Sequence, residues 1–147
     1  MWTAASYYLP APTDHIADIL TANLRRWRAA FPNKPLLVSE YGAGSYPGLH
    51  ALPGSGAPSE FSAELREEIL KATWVAFDEL RKDGELQGEQ MHALHDFKQR
   101  GGTYHDVGGM NFKGLYARDR SPKDHARVAL SERYGRIARG EDEGRCS

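Results

Sequence analysis

Pro35-Leu36-Leu37-Val38-Ser39-Glu40-Tyr41-Gly42 is an apolar run that ends in a carboxylate and a glycine. Buried parallel strands have continuous Val, Ile or Leu runs bounded by turn residues, so the stretch predicts a strand of an α/β fold. In barrels of alternating strands and helices, the reactive side chains stand at the C-terminal ends of the strands, where Glu40 would lie. Glu40 is therefore a candidate nucleophile. The alternative, a strand-end glutamate that caps a neighbouring element, stays open.

Strand and helix patterns alternate along the rest of the chain, as in consecutive βαβ units. The spacing of apolar residues predicts a first helix over residues 13–31 and a second over about 59–83. Ser121 followed by Pro122 is the expected start of the third helix. The candidate strands cover, in order, residues 2–8, 36–39 and 90–94, and long loops are expected at 43–58 and 98–120.

The composition excludes several classes of partner. Of the 147 residues, 27% are charged and the formal net charge is −1, so no basic surface for nucleic acid is expected. No apolar run is long enough to cross a membrane, and residues 1–5 lack the pattern of a signal peptide. Cys146 is the single cysteine, which excludes an internal disulfide. The cellular compartment is left open.

A small group of histidines raises the question of a metal site. His92 and His95 lie beside Asp96, but two residues three apart on a strand point to opposite faces of the sheet. The glycines at 42 and 44 lack the later glycines and the Lys-Ser/Thr pair of phosphate-binding loops. The sequence therefore predicts neither a metal nor another cofactor.

Seven short motifs follow one another along the chain, with the second predicted helix between the second and the third of them. In order, they are Ser39-Glu40-Tyr41-Gly42, Gly48-Leu49-His50, Gly88-Glu89-Gln90, Asp96-Phe97, Val107-Gly108-Gly109, Asn111-Phe112-Lys113-Gly114 and Arg118-Asp119-Arg120-Ser121-Pro122-Lys123. Their order and spacing resemble those of the glycoside hydrolase family 2 β-glucuronidases, in the C-terminal part of the catalytic barrel domain. The resemblance covers nearly the whole chain.

The resemblance implies a partial (β/α)8 TIM barrel. A complete barrel needs about 250 residues, so this chain would form about the last three βα units of eight. Residues 1–139 would belong to the barrel domain, and residues 140–147 would be a solvated tail. The missing N-terminal portion of the barrel would then be the partner that completes the site.

The resemblance also implies hydrolysis of β-D-glucuronides by a retaining double displacement, which needs a nucleophilic carboxylate and an acid/base carboxylate. Glu40 matches the nucleophile, and Tyr7 matches the tyrosine that orients it. The family's acid/base lies in an Asn-Glu pair on an earlier strand, and this chain contains no Asn-Glu dipeptide. Glu89 opens its strand, so it would lie at the opposite face of the barrel, where a structural ion pair is expected. The isolated chain is therefore expected to be inactive.

Asn111 and Lys113 match the Asn-x-Lys motif that binds the substrate carboxylate in the glucuronidases. An amide and an ammonium supply suitable donors for that carboxylate. Asp96, at the C-terminal end of its strand, is expected to contribute to the wall of the pocket, as an orienting acceptor rather than a proton donor. The implied ligand is a β-glucuronide or a related glycoside.

The chain departs from the family pattern where substrate would be held. Asp106 stands in place of an arginine, and His92-Ala93 stand in place of a Trp-Asn pair. These departures leave two alternatives open. One is another family 2 β-glycosidase specificity, and the other is a truncated, non-catalytic chain that binds sugar or completes another polypeptide.

Overall fold

The structure, a computed structural model, describes residues 13–99 and 106–141, with the backbone alone for Asp106 and Val107. A short 3₁₀ helix, Thr13–His15, leads into the first α-helix. The helices are α1 (Ile16–Ala30), α2 (Ala63–Lys82) and α3 (Ala126–Ala138). The strands are β1 (Leu37–Tyr41), β2 (Gly88–Met91), β3 (Phe97–Lys98), β4 (Asp106–Val107) and β5 (Met110–Asn111).

Strands β1 and β2 are parallel neighbours, joined by a crossover through α2. Val38 pairs with Glu89 and Tyr41 with Met91, so the register is irregular between the two pairs. This irregularity lets Val38 and Tyr41, three residues apart, both enter the buried core. Tyr41 packs edge-on against Phe77 of α2, with ring centroids 5.0 Å apart. Glu40, which precedes Tyr41 in this irregular part of the strand, is only partly buried.

The core lies between the β1–β2 pair and the helices. Its largest cluster is formed by Leu24, Val38, Tyr41, Leu70, Phe77, Leu80, Leu86, Leu115, Ala126 and Leu130. A second cluster, made of Ile16, Leu20 and Ala76, holds α1 against α2. The apolar faces of α1 and α2 therefore cover the same face of the parallel pair.

The predicted first helix is confirmed: the 3₁₀ turn Thr13–His15 leads into α1, which ends at Ala30. Ile16, Leu20 and Leu24 are buried as the spacing requires. Trp27 and Phe31 are 46% and 52% exposed, and their rings stack on each other at 5.8 Å. Within the described residues, the apolar stripe of α1 extends beyond the neighbours that cover it.

The boundaries of four other elements differ from the prediction. Strand β1 covers Leu37–Tyr41 rather than 36–39. Helix α2 begins at Ala63 rather than near 59, with Ser62 as its N-cap. Strand β2 covers 88–91 rather than 90–94. Helix α3 begins at Ala126 rather than 121, because Ser121 and Pro122 are used in a turn whose backbone bonds back to the segment 115–117. Tertiary pairing therefore overrides the local helix-start signal there.

The predicted loop at 43–58 is confirmed, since no helix or strand lies between β1 and α2. The segment at 98–120 contains β4 and β5, which form an antiparallel sheet with β3 in the order β3-β5-β4. Strands of two residues show no periodicity, so the sequence could not indicate them. The predicted strand at 2–8 lies outside the described residues.

Neither sheet of the described residues closes into a barrel. Among the helices in these ranges, none has the length and apolar character needed to span a membrane.

Candidate active site

Glu40 is the penultimate residue of β1 and is half-buried. Gly42 follows the strand with φ +133°, a conformation that side chains other than glycine rarely adopt. A Cβ at Gly42 would stand 3.0 Å from Met91 Cε and 3.2 Å from the His92 carbonyl oxygen. The glycine therefore allows the ends of β1 and β2 to approach each other closely beside the Glu40 carboxylate.

His92 and Ala93 join that strand end to the loop that carries Asn111 and Lys113. The His92 N–H donates to the Tyr41 carbonyl at 2.9 Å, and the Ala93 N–H donates to the Lys113 carbonyl at 3.2 Å. The peptide bond between His92 and Ala93 is cis. These two backbone bonds bring the loop to the same edge of the sheet as Glu40.

The charges of Glu40 and Lys113 have opposite effects on the His92 imidazole. Burial lowers the pKa of the His92 imidazole, the Glu40 carboxylate raises it, and the Lys113 ammonium lowers it further. Both side chains thus act on one half-buried ring. The structure therefore brings together a carboxylate, an imidazole and an ammonium at the C-terminal end of the parallel pair.

The loop that carries Asn111 and Lys113 is ordered by its own polar groups. Asn111 is buried at the end of β5, where its Oδ1 accepts the Lys113 backbone N–H at 3.1 Å. Its Nδ2 donates to Gln99 Oε1 at 2.8 Å. The Asn111 amide and the backbone of Lys113 are therefore held in one fixed arrangement, although Asn111 already has a protein partner for both ends of its amide.

Arg66, on α2, holds the same loop in place through hydrogen bonds. Its Nη1 donates to the Gly114 carbonyl at 2.8 Å and to Ser45 Oγ at 3.0 Å, and its Nη2 donates to the Lys113 carbonyl at 3.3 Å. Asp124, almost as buried as Arg66, lies 3.3 Å from Nη1 and neutralises the guanidinium. One buried arginine thus links the segment after β1, the Lys113 loop and the segment before α3.

Asp96 and Lys123 also form hydrogen bonds with the backbone of this loop. Asp96 Oδ1 accepts the Gly114 N–H at 2.8 Å and Lys123 Nζ at 2.9 Å. The Lys123 ammonium also donates to the Phe112 carbonyl at 2.9 Å. Asp96 and Lys123 side chains are 2% and 0% exposed, and burial lowers the pKa of the Lys123 ammonium despite the opposing effect of Asp96. These contacts give Asp96 an orienting role within the loop.

Gly114 is required where the two segments cross. A Cβ at this position would overlap the Asp96 nitrogen and the His95 carbonyl carbon. The backbone must therefore pass directly against residues 95–96, which fixes the distance between β2 and the Lys113 loop.

An aromatic cluster covers the outer side of the loop. Tyr46 stacks on Phe61 with ring centroids 4.8 Å apart and meets Phe112 edge-on at 4.8 Å. The Ser45 N–H donates to the Phe112 carbonyl at 3.0 Å. The long loop after β1 is therefore packed on the Lys113 loop rather than projecting from it.

Glu89 lies at the opposite end of the parallel pair, as the sequence predicted. Its carboxylate accepts two hydrogen bonds from Arg133, both at 2.8 Å, and one from Arg81, also at 2.8 Å. Tyr41 adds its hydroxyl at 3.0 Å. The expected structural ion pair is confirmed, and Glu89 is not part of the candidate site.

Some predicted residues cannot be placed. Tyr7 and the side chain of Asp106 lie outside the described residues. Within the described residues, no group of three His, Cys, Asp or Glu side chains could hold a metal ion. Sequence reasoning missed the supporting roles of Arg66, Lys123 and Ser45. An arginine inside an amphipathic helix and a lysine in a turn normally indicate solvent-exposed positions, so no local pattern identified them.

No protein-family model matches the chain. The β-glucuronidase of Mus musculus is 37% identical to it over 105 residues, which cover 71% of this chain and 15% of the mouse protein. The chain thus spans less than a fifth of that relative's length.

Solved structures agree with this similarity. A β-glucuronidase from an uncultured Clostridium species matches with a TM-score of 0.73 and 31% identity, over 86% of this chain and 20% of that one. The β-glucuronidase of Ruminococcus gnavus, in complex with D-glucuronic acid, matches with a TM-score of 0.65 and 31% identity, over 80% of this chain and 19% of that one.

Proposed function

Since the chain is a β-glucuronidase-like region of glycoside hydrolase family 2, we propose that it supplies the nucleophile and the uronate-binding loop of a retaining β-glucuronidase. The observation that carries the proposal is that His92 and Ala93 join the end of the Glu40 strand to the Lys113 loop through two backbone hydrogen bonds. A carboxylate that attacks the anomeric carbon and a cation that binds the sugar's own carboxylate must lie within one sugar ring of each other. The glucuronide substrate of the relatives supports the same assignment.

Glu40 is the proposed nucleophile because of its position on β1. It lies near the C-terminal end of a parallel strand, which is where barrel enzymes hold their reactive groups. Tyr7 is the proposed partner that orients its carboxylate. In the first step Glu40 would attack the anomeric carbon while the glycosidic bond breaks, and the acid/base carboxylate of the N-terminal portion would protonate the departing aglycone oxygen, leaving a glycosyl-enzyme ester. In the second step water, deprotonated by the same acid/base group, would attack the anomeric carbon, break the ester bond and release the sugar and the free Glu40 carboxylate.

Lys113 and Asn111 are the proposed uronate-binding residues. The Lys113 ammonium supplies a charged donor, and the Asn111 side chain holds the Lys113 backbone in place. Asp96 would form part of the wall and act through the loop, since its Oδ1 is used by Gly114 and Lys123.

The proposed architecture is the C-terminal part of a TIM barrel, about its last three βα units, over residues 1–139, with residues 140–147 as a solvated tail. The parallel β1–β2 pair with its α2 crossover is one such unit. An N-terminal portion of the barrel would supply the remaining wall and the acid/base carboxylate.

The test of this proposal is a Glu40→Gln substitution in the complete polypeptide that carries this chain. Hydrolysis of an aryl β-D-glucuronide should fall by about three orders of magnitude or more, because the amide cannot form the glycosyl ester. Glu132→Gln, which changes an exposed carboxylate on α3, is the matched control and should keep full activity.

Retained turnover in the Glu40→Gln protein would contradict the nucleophile assignment. A substrate panel in which galactosides are preferred would favour another family 2 specificity. Glucuronide binding without turnover in the unsubstituted protein would favour the non-catalytic alternative, which the departures at His92 and Ala93 motivate.

A further inference from the structure

We infer that His92 is a further substrate-binding residue, whose protonation controls how tightly the site holds a uronate. The inference rests on the proposed function and adds to it a residue that the Asn-x-Lys motif does not include. The ligand is an anionic sugar. The protonation of His92 should not alter the affinity for a neutral sugar.

The position of His92 in the backbone is the first argument. It follows β2 directly, and its N–H donates to the carbonyl of Tyr41, the residue after Glu40. The next N–H, that of Ala93, donates to the Lys113 carbonyl. His92 therefore stands between the strand that carries the proposed nucleophile and the loop that carries the proposed uronate cation.

The environment of the ring is the second argument. The imidazole is half-buried and meets the ring of Phe97 on β3 edge-on, with centroids 5.5 Å apart at an interplanar angle of 68°. This contact fixes the ring from its apolar side. A ring held in this way changes its charge without moving away from the site.

The charges around the ring are the third argument. Burial and the Lys113 ammonium lower the pKa of His92, and the Glu40 carboxylate opposes them. Within the described residues, these are the charged groups that act on the ring from β1 and from the loop after β5, and Phe97 on β3 is apolar. The net effect keeps the imidazole neutral at neutral pH.

A bound uronate would alter this balance. Its carboxylate stays ionised above about pH 5 and would pair with Lys113, which adds a negative charge close to His92. The pKa of His92 would then be higher in the complex than in the free protein. By reciprocity, the imidazole takes up a proton from solvent on binding, and the affinity for the uronate rises as the pH falls through that pKa.

The decisive experiment is calorimetric titration of the complete polypeptide with D-glucuronate across about pH 5 to 8. Binding should be about three- to tenfold tighter at the acidic end, since a pKa shift of one unit corresponds to a tenfold change. It should also be accompanied by proton uptake. His92→Gln should abolish both effects. His95→Gln, which changes a neighbouring histidine whose Nδ1 meets the Asp96 carbonyl oxygen, should keep them.

Each outcome decides the inference. An identical pH dependence in the wild-type and His92→Gln proteins, or binding without proton uptake, would overturn it. An NMR titration of the wild-type His92 ring serves if the variant does not fold, and a pKa that D-glucuronate leaves unchanged would also overturn it. If the protein hydrolyses glucuronides but binds D-glucuronate equally tightly at every pH, only the role of His92 is rejected. If it neither binds nor hydrolyses them, the proposed function is rejected as well.

Discussion

At the scale of single residues, three carboxylates on or beside the parallel pair have three different environments. Glu89 forms ion pairs with two arginines. Asp96 accepts hydrogen bonds from a lysine and from a backbone N–H. Glu40 lies near a histidine, whose pKa it raises. The first two are held by complementary charge inside the fold. Glu40 stands near the C-terminal end of a strand and is half-buried, which suits the proposed role of contacting a substrate.

Lys113→Gln tests the uronate assignment at this scale. The change removes a charge-assisted bond to the sugar carboxylate, which is worth about 1.5–3 kcal/mol, so kcat/KM for a glucuronide should fall by about 10- to 100-fold. Turnover of the corresponding glucoside, measured in parallel, should change little. Lys98→Gln, on an exposed lysine of β3, is the control. Equal losses on both substrates would show that Lys113 supports the loop rather than the uronate.

At the scale of elements, α2 connects the two strands and also organises the site. Its C-terminal half buries Phe77 and Leu80 in the core, while Arg66 in its second turn holds the Lys113 loop. Ser62 begins the helix, and its side chain accepts the Leu65 N–H at 3.2 Å. The start of α2 therefore sets the position from which Arg66 reaches the loop.

Ser62→Ala should destabilise the protein by about 1 kcal/mol, because the first turn of α2 loses its side-chain cap. Ser59→Ala is the matched control, since Ser59 is exposed and lies before the helix; its effect should stay within about 0.5 kcal/mol. Urea unfolding of both variants measures the difference. Equal effects would mean that the cap does not stabilise α2.

At the scale of the whole molecule, the candidate site and the largest ionic cluster lie at opposite ends of the parallel pair. The C-terminal end holds Glu40, His92 and Lys113. The N-terminal end holds the Glu89 cluster, in which Arg133 and Arg81 bind one carboxylate and Asp78 binds both arginines. The cluster ties β2 to α2 and α3, so it should contribute to stability without affecting substrate binding.

The pH dependence of unfolding follows from this cluster. Burial alone would raise the pKa of Glu89, but the hydrogen bonds and charges of Arg133 and Arg81 outweigh it and lower the pKa below 4.5. A carboxylate with a depressed pKa in the folded state contributes stability above its unfolded value, and loses it as the pH falls through the folded value. The contribution of Glu89 should therefore be full at neutral pH and decline below about pH 4.5.

Glu89→Gln should lower the free energy of unfolding by about 3 kcal/mol at neutral pH, because it leaves buried arginines without their main partner. The difference from wild type should shrink in acid, where the wild-type carboxylate is also protonated. Urea unfolding at several pH values measures both. Glu67→Gln, in a surface pair with Lys71, should cost less than about 0.5 kcal/mol. A pH-independent difference for Glu89→Gln would exclude the ionic explanation.

Features that depend on local patterns were predictable from the order of the residues. The apolar run before Glu40 predicted β1, the spacing of Ile16, Leu20 and Leu24 predicted α1, and the position of Glu89 at the start of its strand predicted its ion pair. Periodicity and strand polarity are local properties, so one sequence is enough to recognise them. The motif order likewise pointed to the similarity that the relatives show.

Features that depend on partners far apart in the chain became visible only in the folded protein. The start of α3 at Ala126, the burial of Arg66 and the small β3-β5-β4 sheet each depend on contacts between segments far apart in the chain. A buried charge is stable only where the fold places its partners around it. Glu40 and Lys113 affect the pKa of His92 because the fold brings these residues together. No local pattern contains that information, because the free energy of such groups depends on where the rest of the chain lies.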